Sequence, residues 1–129
     1  MSRPEADRAR ALLGRADADL AAVRALETAE SVPHEILGLH GQQAAEKLLK
    51  AVLAAYGIEF PRTHSLRFLL DLLADHALEP PSGLHGVTDL YPFSVQFRYE
   101  APLDEVLLDR KAVRELLERL REWAAGHIP

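Results

Sequence analysis

The chain has 129 residues, no Cys and a formal net charge of −5. Leu and Ala supply 23 and 20 positions against 13 for Val, Ile and Thr together; β-branched residues lose rotamer freedom in a helix that Leu and Ala keep, so this balance excludes an all-β fold. The lack of Cys excludes a disulfide framework, a thiolate zinc site and a Cys nucleophile, while the mild acidity argues against a globally basic nucleic-acid binder and leaves a local basic patch open.

No apolar run reaches the roughly 18 residues of a membrane span, and Met1-Ser2-Arg3-Pro4 leads into charge rather than a signal-peptide core. The expectation is one all-helical cytoplasmic domain over residues 1–129 that binds no membrane.

A first helix begins near Pro4, which suits a first helical turn because its missing N–H has no helical partner there anyway. Leu12, Leu13, Ala16, Leu20, Val23 and Leu26 recur at a helical period until Ser31-Val32-Pro33 breaks it. A second helix runs from about Pro33 to Tyr56, with Gly57 as a left-handed cap. Ile58 to Arg62 is extended or turn-like, since Pro61 steers the residue before it away from helix. Thr63 offers an N-cap for a short third helix carrying Leu66, Leu69, Leu70, Leu72 and Leu73. Glu79-Pro80-Pro81-Ser82-Gly83 is the clearest loop. A fourth, irregular helix is expected from about Leu84 to Tyr99, broken or kinked at Pro92. The last opens near Ala101 to Asp104 and continues to about Ala125, with Gly126 closing it. Helices on short loops, with no internal repeat or dividing linker, read as an antiparallel four- or five-helix bundle.

The second helix carries the most informative pattern. With His40 at zero and about 100° per residue, Gln43, Lys47 and Lys50 fall within an arc of about 80° on one side, while Leu37, Ala45, Leu48, Leu49, Val52 and Tyr56 occupy another. A polar stripe thus runs down a largely apolar helix, with Glu46 at its edge placed to pair with Lys50 in the acid-first order. One reading is a solvated face. The other is a groove that holds a phosphate or a partner's acidic side chain, since Lys supplies a point charge and an amide fixes orientation.

The residues that carry this stripe, His40-Gly41-Gln42-Gln43-Ala44-Ala45-Glu46-Lys47-Leu48-Leu49-Lys50-Ala51, resemble the signature of the HEPN domain, a small helical bundle. Gly57-Ile58-Glu59-Phe60-Pro61-Arg62-Thr63-His64-Ser65-Leu66 is similar to the family's link into its third helix, and Leu90 to Tyr99 resembles its aromatic segment ending in Arg-Tyr. The three matches fall in the family's order. The resemblance implies a bundle of the nucleotidyltransferase substrate-binding-subunit type, a homodimer, and a minimal nucleotidyltransferase as partner in a toxin–antitoxin-like pair, as is common among bacterial members.

Many toxic members of that family are metal-independent ribonucleases whose motif is an Arg, four to six residues, then a His. Those types suit the chemistry, since His moves protons near neutral pH and Arg stabilises phosphorane charge. Arg98, at the corresponding place, has no His in range. The formal match in this chain is Arg121 with His127, near the C-terminus. Tyr99 directly follows Arg98, so the adenylylated Tyr that follows the His in some members has no counterpart here.

Elsewhere His34-Glu35-Ile36-Leu37-Gly38 begins like a zincin motif, but the second His is absent at the required spacing, and His40 lies on the other side of the helix. His64, beside Thr63, suits a structural or hydrogen-bonding role at a helix start, and His76 and His85 have no evident partner. Arg110 falls on the apolar arc of the last helix and needs an acceptor: an ion pair with Asp89 or Asp71, a stem that snorkels to water, or an anion site shared with Arg98, Lys47 and Lys50.

Function is expected to lie with a non-catalytic nucleotide-binding or protein-interaction module, using His40, Gln43, Lys47 and Lys50 with Arg98 and Arg110, and needing neither metal nor other cofactor. Two alternatives stand beside it: a ribonuclease toxin acting on RNA through a divergent Arg/His site, and a purely structural dimer.

Overall fold

A computed structural model describes residues 1–93 and 108–129. Helix α1 (Arg3–Leu26) starts on Ser2, whose hydroxyl accepts from the Glu5 N–H at 3.2 Å, with Pro4 in the first turn. Its buried positions, Ala6, Ala9, Ala16, Leu20 and Val23, lie on one face.

Helix α2 (His34–Ala55) buries 14 of its 22 residues, which makes it the centre of the bundle rather than a surface helix. It ends on Gly57 at φ +67°, where the Ile58 N–H reaches the Leu53 carbonyl at 2.9 Å and the Gly57 N–H reaches Ala54 at 3.0 Å. This pair of bonds satisfies carbonyls that the helix end would leave bare, and only Gly takes the left-handed conformation without strain. The expected cap is therefore the observed one.

Helix α3 (Leu66–Asp75) buries Leu66, Leu69, Leu70 and Leu73 against the core. Its N-cap is Ser65, which accepts from the Phe68 N–H at 3.1 Å. Thr63 instead closes the turn before it, accepting from the Ser65 N–H at 3.0 Å, so the expected cap is displaced by two residues.

Where an irregular helix was expected from about Leu84, Ser82–Phe93 forms a 3₁₀ helix. Its buried residues are Leu84, Val87, Leu90 and Phe93, spaced by three. Three residues per turn bring that spacing onto one edge, whereas an α-helix would wind it round the axis. Residues 94–107, where the rest of that helix and the expected start of the last one fall, lie outside the described residues.

Helix α4 (Arg110–Ala125) starts on Asp109, whose carboxylate accepts from the Ala112 N–H at 3.0 Å. It packs on α1 through ion pairs of antiparallel register. Arg121 meets Asp17, Glu118 meets Arg24, and Arg114 meets Glu27 at 2.8 to 2.9 Å. Among the described residues the structure holds four α-helices, one 3₁₀ helix and no strand, and α2 touches all the other helices. No helix there is long and apolar enough to cross a membrane.

Candidate functional site

The polar stripe of α2 lies between α1 on one side and the link into α3 on the other. His40 and Lys47, two turns apart, converge on one carboxylate of α1: His40 Nδ1 lies 3.0 Å from Asp19 Oδ1, and Lys47 Nζ donates to Asp19 Oδ2. One turn further along, Lys50 Nζ donates to Glu46 Oε2 at 3.0 Å, as their spacing predicts, and His64 Nδ1 lies 2.8 Å from Glu46 Oε1. Each carboxylate therefore joins one Lys to one His. Gln43, half-buried between His40 and Lys47 in sequence, makes no side-chain hydrogen bond with the described residues.

Burial decides how these groups behave. The Glu46 side chain is 7% exposed and that of Lys50 14%, so this pair sits in low dielectric and needs its full complement of hydrogen bonds. Gln42, wholly buried, supplies part of it: its amide donates to the His64 carbonyl at 2.9 Å and leans toward Glu46 Oε1 at 3.4 Å. Its own Oε1 is the buried side-chain atom left without a partner among the described residues. The His40 and His64 rings, in contrast, reach solvent at 37% and 48% exposure.

Phe60 borders the site. Arg8 Cζ lies 4.8 Å from its ring centroid and Lys50 Nζ 5.7 Å, so the ring's negative faces help hold two cations near one another. Sequence reasoning did not single out Arg8, Asp19 or Gln42. Asp19 shares a narrow face of α1 with Arg8, eleven residues away, and Gln42 stands out as an amide inside an apolar arc; both signals were readable.

Arg110 is placed elsewhere. Its guanidinium donates to the carbonyls of Leu26 (2.7 Å), Ala29 (3.0 Å) and Val32, and its Nε to His34 Nδ1 at 3.1 Å. It thus caps the C-terminal end of α1 and the turn that follows, with backbone carbonyls in place of the carboxylate, Asp89 or Asp71, that charge alone suggested. Arg98 lies outside the described residues.

The formal Arg-x5-His match is also engaged elsewhere. Arg121 forks onto Asp17 at 2.9 and 3.2 Å, and this carboxylate holds the guanidinium more firmly protonated than usual. His127 Nδ1 lies 2.9 Å from the Tyr56 hydroxyl, with the ring edge-on to Tyr56 and Trp123 at 5.6 and 5.2 Å between centroids. His76 and His85 bond the nearby carbonyls of Leu72 and Pro80. Among the described residues no group of three or more His, Asp or Glu could hold a metal ion.

Comparison with known proteins agrees with this architecture. The HEPN domain family matches residues 9–124. An archaeal HEPN homologue of known crystal structure superposes with a TM-score of 0.72 at 26% sequence identity, covering 100% of both chains. No curated protein matches the chain.

Proposed function

The chain belongs to the HEPN domain family, and from that membership we propose that it is a non-catalytic binding module. On this reading the α2 face lined by His40, Gln43, Lys47 and Lys50 holds the phosphate of a nucleotide. The protein acts as a homodimer beside a minimal nucleotidyltransferase in a toxin–antitoxin-like pair.

The observation that supports it best is the setting of the two ammonium groups. Lys47 and Lys50 each direct one N–H to a carboxylate, which leaves two donors on each. Held by Asp19 and Glu46, they have already lost the side-chain freedom that binding would otherwise remove. Lys presents a point charge to phosphate, the Gln43 amide is uncommitted, and Arg8 adds a cation across Phe60. The ribonuclease reading draws less support, because Arg121 is committed to Asp17 and His127 to Tyr56.

Titration of ATP, AMP and GTP into the wild type and a Lys47→Ala/Lys50→Ala variant tests the site, with circular dichroism to check the variant's fold. Saturable binding, weakened at least about tenfold in the variant, is expected from the loss of two charge-assisted bonds. No saturable binding of any of the three, or equal affinity in both proteins, removes the site for these ligands. Metal-free cleavage of RNA by the purified protein would favour the ribonuclease reading instead. A neighbouring reading frame for a minimal nucleotidyltransferase would support the partner, and a lone gene would count against it.

A further inference from the structure

Both histidines of the α2 face meet their carboxylates through the same ring nitrogen, His40 Nδ1 to Asp19 and His64 Nδ1 to Glu46. An ionised carboxylate only accepts, so Nδ1 carries a proton whether the ring is neutral or charged. In the neutral ring the other nitrogen, Nε2, is then a bare lone pair. Both side chains are partly exposed, and a neutral ring offers an oxyanion no donor at Nε2, only a lone pair that repels it.

Charge leads to the same result. Lys47 faces Asp19 and Lys50 faces Glu46, so the two lysines and two carboxylates sum to zero. His40 is packed against Asp19 of α1 and Lys47 of its own helix. His64 is packed against Glu46 and Gln42 of α2, with Lys50 on the far oxygen of Glu46 and Arg8 of α1 across Phe60. Lysine, arginine and carboxylate side chains generally keep their charges between about pH 6 and pH 8, whereas imidazole changes its own there. A proton on either histidine therefore adds positive charge to the balanced lysine–carboxylate pairs, beside the cation that Arg8 already supplies.

Resting on the reading of this face as a phosphate site, we infer that anion binding there is coupled to proton uptake by His40 and His64. The carboxylates Asp19 and Glu46 fix the ring tautomers so that an oxyanion and a proton arrive together. Binding then strengthens as pH falls, by the reciprocity that links any two ligands of one protein. A proton bound at Nε2 turns the repelling lone pair into a donor.

Calorimetric titration with inorganic sulfate tests this, because sulfate itself carries no proton in the working range. The wild type is measured at constant ionic strength at about pH 6 and about pH 8, each in two buffers of different ionisation heat. Binding at least about tenfold tighter at the lower pH, with net proton uptake by the protein, is expected. His40→Gln and His64→Gln each keep an amide N–H for the carboxylate while removing the titration, so each should lower the uptake and the double variant should abolish it. Saturable sulfate binding of equal affinity at both pH values without uptake overturns the coupling and leaves the binding site standing. A pH dependence that survives in the double variant also overturns it, by placing the proton elsewhere. If neither sulfate nor the nucleotides saturate at either pH, the phosphate site itself fails and the coupling with it.

Discussion

Ala77 has φ +57°, the positive value among the described non-glycine residues, just past the end of α3. Its N–H reaches the Ala74 carbonyl at 3.0 Å and that of Leu78 reaches Leu73 at 2.9 Å, the same closing pattern that Gly57 makes for α2. An L side chain in that region costs about 1 kcal/mol. Ala77→Gly is expected to raise stability by up to about that amount, less the extra freedom Gly gives the unfolded chain. The measurement is a urea midpoint that moves up at constant m-value. Gly57 announced its turn in the sequence; Ala77 did not, because Ala has no preference for the left-handed conformation that the closing hydrogen bonds require. Arg110 shows the same limit. Its place on an apolar stripe demanded an acceptor, but the acceptors are backbone carbonyls, which no sequence identifies. Arg110→Met removes charge-assisted hydrogen bonds from three half-buried carbonyls and is expected to cost about 2 kcal/mol in chemical denaturation.

The helices differ in how far their sequence alone specified them. Helices α1 and α2 carry long apolar periods and appear close to where those periods place them. The irregular helix expected from about Leu84 is a 3₁₀ helix from Ser82, and its four buried apolar residues spaced by three lie along one edge of it. Its junction with α2 is tight: a Cβ on Gly38 would lie 2.5 Å from the Phe93 ring. Gly38→Ala must displace a wholly buried aromatic, so a loss of about 1–3 kcal/mol is expected, read as a lower thermal midpoint. Between α1 and α4, Arg24 and then Arg114 hold the Glu118 carboxyl below the usual carboxylate range. A depressed carboxylate contributes stability above its unfolded value, about pH 4.3, and loses it as pH falls through the lower folded value. The stability gap between wild type and Glu118→Gln should therefore be full near neutrality and close progressively below about pH 4. A gap that stays constant through the acid limb would show that Glu118 acts through packing alone.

For the whole molecule, a net charge of −5 describes a sum and not a surface. The bundle and its family were legible because hydrophobic period, turn residues and three motifs in order all pointed the same way. The candidate site was half legible. Spacing on one helix assembled His40, Gln43, Lys47 and Lys50 and paired Lys50 with Glu46, since a single helix fixes those positions. Asp19, Arg8 and His64 reach the same face from other elements, so only the packing of α1 and of the link into α3 brings them there. That packing also changed the meaning of the stripe, from bare cations to lysines held on carboxylates. The most direct measurement is a crystal structure of the protein with ATP bound. Phosphate oxygens are expected within about 2.7–3.2 Å of Lys47 Nζ and Lys50 Nζ, with Gln43 turned toward them. ATP bound at another face, with both lysines still bonded only to Asp19 and Glu46, would contradict this reading.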